Sequence, residues 1–237
     1  MNTILYKASE RGHANHGWLN SYHSFSFANF YDADKIHFGA LRVLNDDTVK
    51  GGFGFSKHPH DNMEIVSIPL SGDLEHRDST GRHAIIRQGD VQIMSAGSGI
   101  AHSEMNANKH QEVKFLQIWV FPKKQDIEPR YEQKTFSPAD RHNTIQTVVA
   151  PDDASAVWIN QDAWFSLANF DNGFTGTYQL RNENNGLYAF VLEGSANIAS
   201  EELGKRDAVG ITGTKDVLIT AKGNLEILLI EVPMQLH

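Results

Sequence analysis

Apolar and polar positions along this chain change over in short runs, and almost nowhere do they follow the spacing of an amphipathic helix. The runs HFGALRV, NMEIVSIPL, HAIIRQ, DVQIMSA, VKFLQIWVF, AWFSLANF, GLYAFVL, DVLITA and LEILLIEV are rich in β-branched and aromatic residues. Gly, Asn, Asp and Ser stand between them and supply turns. Many short strands joined by turns predict an all-β chain, built as a sandwich or barrel. The stretch PKKQDIEPRYEQKTFSPADR (122–141) is polar and holds three prolines, so it reads as a connection between domains. A weak repeat lies on either side of it. Ile68–Gly72 followed by Gly89–Gly97 is echoed by Val191–Gly194 followed by Arg206–Gly213. In each copy a strand ends at a glycine turn, and a turn with aspartate opens the next strand. The pattern predicts a duplicated β-domain, with a first domain over 1–125, a linker over 126–140 and a second domain over 141–237. At 237 residues the chain has room for two domains of about 100–120 residues each.

Composition narrows the chemistry. The chain has no cysteine, which removes disulfides, thiolate metal sites and thiol nucleophiles from consideration. Its net charge of −8 argues against a dedicated nucleic-acid binder. The first residues, MNTILYKASERG, lack the apolar run of a secretory signal. Leu225–Met234 is too short to span a bilayer and contains Glu226 and Glu231. The expectation is a cytoplasmic protein that binds no membrane. The halves differ in kind: residues 1–130 carry a net charge of −1 and ten histidines, whereas 131–237 carry −7 and only His142 and His237. Histidine chemistry therefore belongs to the first half.

Two histidine pairs stand out there. In Gly52-Phe-Gly-Phe-Ser-Lys-His58-Pro-His60-Asp-Asn-Met-Glu64, residues two apart on a strand share a face, so His58 and His60 turn both imidazoles toward one point. Pro59 between them has no N–H to give a ladder and suggests an edge or bulged strand. Ser98-Gly-Ile-Ala-His102-Ser-Glu104 repeats the arrangement with His102 and Glu104. Two such pairs on neighbouring strands make a four-ligand centre of three nitrogens and one oxygen, leaving positions open on a metal that takes five or six ligands. Glu64 competes for the carboxylate role, but it lies about 13 Å along a straight strand from His60, against about 7 Å between His102 and Glu104. Glu104 is favoured, and Glu64 is left to hydrogen-bond a ligand histidine. His13, His16, His23, His76, His83, His110, His142 and His237 read as ordinary surface or hydrogen-bonded residues, and His37 is a lesser candidate for a pocket wall.

These segments resemble known motifs. Residues 52–72 are similar to the first cupin motif, G-x5-H-x-H-x3-E-x6-G, with Gly72 displaced by one. Residues 89–106 are similar to the second, with Ser95 at its proline and two extra residues between Gly97 and His102. More closely, His23-Ser-Phe-Ser-Phe-Ala-Asn-Phe-Tyr31, Phe38-Gly-Ala-Leu-Arg-Val-Leu-Asn-Asp-Asp47, the HPH at 58–60 and GDVQIMSAGSGIAHSE at 89–104 resemble bacterial pirins. The likeness is specific from about residue 3 to 125 and more diffuse beyond. It implies two cupin-type double-stranded β-helix barrels in tandem. The first would bind one divalent metal, Fe(II) foremost with Mn, Co, Ni, Cu or Zn also accommodated, through His58, His60, His102 and Glu104. The second, with Thr177-Tyr-Gln-Leu where a histidine pair would stand, would bind none. Some pirins have quercetin 2,3-dioxygenase activity, so the resemblance implies a dioxygenase that takes a flavonol-like phenolic and O2. Glu104 would accept the substrate's hydroxyl proton, and Phe25, Phe27, Phe53 and Phe55 are candidates for an apolar barrel mouth, although ordinary core strands explain them better. Other pirins act through protein partners, which implies the alternative of a metal- or redox-sensing regulator of a transcription factor or metabolic enzyme. A third possibility is a cupin that binds a small ligand without turnover. Asp61-Asn62-Met63 after HPH, where pirins commonly have a basic or small residue, leaves the substrate open.

Overall fold

The structure is a computed structural model that describes residues 1–236; His237, read above as an ordinary histidine, lies outside the described residues. It is all-β and forms two cupin-type barrels in tandem, each made of a seven-stranded and a four-stranded antiparallel-rich sheet. In the first barrel the large sheet runs Arg130–Thr135, Asp90–Ser95, Glu64–Ser71, Val113–Val120, Leu41–Val49, Leu19–His23, Gly12–Asn15. Its small sheet runs Gly54–His60, Ile100–Asn106, Leu74–Asp78, His83–Ile86. In the second barrel the central strands Ala208–Thr212, Asn185–Glu193, Leu225–Pro233 and Trp164–Phe170 follow the same order as Asp90–Ser95, Glu64–Ser71, Val113–Val120 and Leu41–Val49. The glycine-turn repeat read in the sequence is therefore a repeat of topology. Among the described residues no helix is long and apolar enough to cross a membrane.

The apolar runs are near-continuous because both faces of the large sheets are covered. In VKFLQIWV, Leu116, Ile118 and Val120 point outward into a cluster that also contains Phe165, Tyr188, Phe190, Leu228 and Ile230 of the second half. The alternate positions Val113, Phe115, Gln117 and Trp119 face the first barrel's interior. There Phe115 belongs to one apolar cluster with Leu19, Leu74 and Ile86, and Trp119 packs on another with Ile65, Met94 and Ile100. Gln117 lies between them, so the polar site sits between two greasy plugs. The second barrel's interior is apolar instead, filled by Tyr178, Leu187, Val191, Ile219, Ile227 and Leu229.

Two boundaries differ from expectation. The strand Asn2–Tyr6, assigned from sequence to the first domain, pairs with Ala208–Thr212 and so belongs to the second barrel's large sheet. The expected linker contains the strand Arg130–Thr135, which pairs with Asp90–Ser95 in the first barrel. RYEQKT is half-buried up to Lys134, with Thr135 exposed, and lies at a sheet edge, where charged side chains are favoured, so its polarity looks like that of a loop. The second barrel's large sheet thus ends on a strand drawn from the other end of the chain, whereas the first barrel's strands all fall within 12–135.

Candidate metal centre

The strand Gly54–His60 lies at the edge of the small sheet, as Pro59 required, and pairs only with Ile100–Asn106. A close approach makes this pairing possible: a Cβ on Gly54 would stand 2.4 Å from the Glu104 carbonyl oxygen. The register sets His102 opposite His58, and a bulge follows, since Glu104 pairs with Phe55. Alternation on Ile100–Asn106 turns Ile100, His102, Glu104 and Asn106 inward. His58, His60 and His102 consequently meet, with one ring nitrogen from each lying within 4.8 Å of the others. Their ring centroids are 4.6 to 4.9 Å apart.

The donor chemistry suits a metal ion. His58 Nδ1 is 2.7 Å from the Ser56 carbonyl oxygen; donating there fixes the tautomer and leaves the Nε2 lone pair for a ligand. Both ring nitrogens of His102 are buried without a hydrogen-bond partner in the protein, a costly state for imidazole unless something else binds it. Burial, with His58 adding to it, pushes His60 down to about 4, and burial with the neighbouring imidazoles pushes His102 down to about 2. The His60 and His102 rings are therefore neutral at physiological pH and their lone pairs are available, which metal binding requires.

Glu104 is buried beside this cluster but is not one of the three groups within 4.8 Å. Ser67 Oγ lies 2.9 Å from its Oε1 and also 2.9 Å from Gln117 Oε1, while Gln117 Nε2 donates to Glu104 Oε2. Burial raises its carboxyl to about 7 against the opposing effect of those hydrogen bonds. Glu64 does not serve a ligand histidine. Its Oε2 accepts from Ser95 Oγ (2.8 Å) and from the Asn160 N–H (3.1 Å), tying the first barrel to the second half. The strand Glu64–Ser71 sets Glu64 opposite Ser95, away from the edge strand that carries the histidines.

Two of the three, His58 and His60, line a cavity of about 420 Å³ together with Glu104, Gln117, Trp18, Phe27, Phe55 and Trp119. Of the four candidate phenylalanines, Phe27 and Phe55 line it; Phe25 is in the core between the barrels, and Phe53 is exposed and stacked on Trp18. His37 hydrogen-bonds the Gly39 carbonyl instead (2.9 Å). His16 and His23, read as ordinary, also line the cavity. His76, likewise read as ordinary, is fully buried against His102 with ring centroids 5.4 Å apart, and its Nε2 is 2.9 Å from Asp78 Oδ2. Sequence reasoning also missed Ser67, Gln117 and Asp47. The available signal was a lone polar residue at an inward position of an otherwise apolar strand, as Gln117 is in VKFLQIWV.

Fold and donor cluster together define a two-cupin protein with, among the described residues, one candidate site for a metal ion, in its first barrel. Residues 6–120 match the family model described as Pirin, and residues 147–232 match the one described as Quercetinase C-terminal cupin domain. The chain is 39% identical over 234 residues to a protein named Quercetin 2,3-dioxygenase from Escherichia coli (strain K12), spanning 97% of this chain and 98% of that one. The crystal structure of YhhW from Escherichia coli matches with a TM-score of 0.94 at 38% identity over 100% of both chains. The structure of bacterial pirin YhhW in complex with nickel(II), also from Escherichia coli, matches with a TM-score of 0.92 at 37% identity, over 98% of this chain and 99% of that one. The chain belongs to the pirin family.

Proposed function

We propose that this protein is a metal-dependent dioxygenase of quercetin or a similar flavonol, with His58, His60, His102 and Glu104 holding one divalent ion, Fe(II) by preference. The observation that carries the reading is a cluster of three imidazoles, His102 unpartnered among them, of which His58 and His60 line an aromatic-walled cavity. Near full-length similarity to a protein named Quercetin 2,3-dioxygenase supports the substrate class. A bound redox-active ion supplies Lewis acidity and electron-transfer chemistry.

The remaining work falls to the chain's own side chains. The cavity of about 420 Å³ lies within the usual range for small-molecule sites, about 300–1,000 Å³. Phe27, Phe55 and Trp119 offer ring faces and edges to a planar substrate and keep water from it. Glu104 accepts the substrate's hydroxyl proton once it is free of the ion, and the burial that raises its carboxyl to about 7 in the metal-free protein favours holding that proton. Ser67 and Gln117 fix the orientation of that carboxylate. The test is an aerobic assay of protein loaded separately with Fe(II), Mn(II) and Ni(II), following quercetin absorbance, O2 uptake and carbon monoxide release. One metal is expected to give all three signals in stoichiometric proportion, and their absence with every metal overturns the reading.

A further inference from the structure

We propose that the cavity wall formed by His23, Asn45 and Asp47 is a built subsite for phenolic hydroxyl groups, which selects polyhydroxylated aromatic rings over bare ones. The proposal rests on the flavonol reading of the same cavity and adds what recognises the substrate's far end. The strands Leu19–His23 and Leu41–Val49 pair with His23 opposite Asn45 and Ser21 opposite Asp47. Leu19 and Val49, which pair in the same register, pack in an interior cluster of the first barrel, so this face of the strand pair points inward. Ordinary packing would continue that apolar row. Instead it becomes polar where it meets the cavity, and each of the four polar residues is at most 3% exposed.

Their hydrogen bonding is incomplete. His23 Nδ1 and Asn45 Oδ1 are buried with no partner in the protein. Ser21 Oγ donates to Asp47 Oδ1, which leaves Oδ2 for another donor. Buried polar atoms are paired in folded proteins, and unpaired ones that line a cavity point to a ligand with complementary groups. Asp47 and Asn45 present acceptors, so the complement is an O–H donor. A continuous aromatic wall joins this region to the metal centre. The His23 ring lies 5.2 Å from Phe27, Phe27 lies 5.5 Å from Trp119, and Trp119 lies 5.0 Å from His60. A planar molecule held at the histidine end and laid along this wall brings its distal hydroxyls to Asn45 and Asp47. An analogue without those hydroxyls leaves the acceptors desolvated and unpaired, which is a strong basis for discrimination.

Binding tests this without turnover. Ni(II)-loaded protein under argon is titrated with quercetin and with 3-hydroxyflavone, which keeps the flavonol head and lacks the ring hydroxyls, and quenching of tryptophan fluorescence is followed. Wild-type protein is expected to prefer quercetin by at least about tenfold. In Asn45→Leu and Asp47→Leu that preference shrinks toward unity while nickel content and 3-hydroxyflavone affinity hold. Should either variant fail to fold, wild-type affinity across flavonols bearing successively more ring hydroxyls is the second measurement, and it is expected to climb with hydroxyl number. Equal wild-type affinity for both probes, or an unchanged preference in folded variants, overturns the subsite and leaves the flavonol reading standing. Binding of neither probe overturns both.

Discussion

His102 holds the least replaceable position in the centre, since its two ring nitrogens are enclosed and have no protein partner. His102→Ala is expected to abolish metal retention after dialysis, measured by elemental analysis. Gln117→Leu removes the donor that orients Glu104 and is expected to weaken metal binding by about 10–100-fold, the usual cost of losing a hydrogen bond behind a ligand. An unchanged affinity in that variant would count against Glu104 as a ligand. Burial raises the carboxyls of Asp47 and Glu104 to about 7 from their ordinary values of 3.8 and 4.5. The folded metal-free protein therefore keeps protons that the unfolded chain has already released between these limits. Its stability from these groups is fully present below about pH 4 and is lost as pH rises toward 7, with no further loss above. Asp47→Asn is expected to flatten part of that slope, seen as a gain in urea midpoint at pH 8 that vanishes at pH 4.

At the scale of elements, the close seat of Gly54 on the Glu104 carbonyl decides whether the histidine-bearing edge strand docks. Gly54→Ala is expected to lower both metal affinity and melting temperature, because the intruding methyl meets backbone rather than a movable side chain. Much of this layer was legible in the sequence. Each apolar run coincides wholly or in part with a strand, and the i, i+2 parity of His58 with His60 fixed a shared face before any tertiary contact was known. What escaped is physical in origin. Arg130–Thr135 is an edge strand whose charges serve it well and disguise it as a loop. His76 pairs across the strands with Glu104 and is packed against His102 and Tyr131, contacts that no local pattern encodes. Glu64 shares strand parity with the histidines, but the chain turns at Asp61-Asn62-Met63 before Glu64, with Asn62 at φ 43, and enters a different sheet.

Across the whole molecule, the largest apolar cluster belongs to neither barrel interior but to the seam between the two large sheets. Tyr188 and Phe190 meet Tyr6, Phe25 and Phe38 there, with Tyr188 ring centroids 5.2 to 5.7 Å from those three partners. Arg206 of the second half reaches Asp46 of the first at 2.7 Å, and Arg11 reaches the same carboxylate at 3.4 Å. Neither half covers its own outer face. Phe190→Ala is expected to cost about 3–5 kcal/mol and to shift one calorimetric transition, not split it into two. Two resolved transitions would show that the barrels unfold independently.

The strand Asn2–Tyr6 gives the molecule a timetable. It leaves the ribosome well ahead of its partner Ala208–Thr212, which follows about 200 residues later. At the usual pace of about 5–20 residues per second, the N-terminus waits on the order of ten seconds or more for the strand it must join. The first barrel has its own sheet complete once Arg130–Thr135 has emerged, so it is able to close while the second is still being made. Joining the N-terminal strand to the finished second barrel is then the latch, a contact of very long sequence separation and the slow kind of step. A circular permutant that places Asn2–Tyr6 directly after the C-terminal strand would remove that wait.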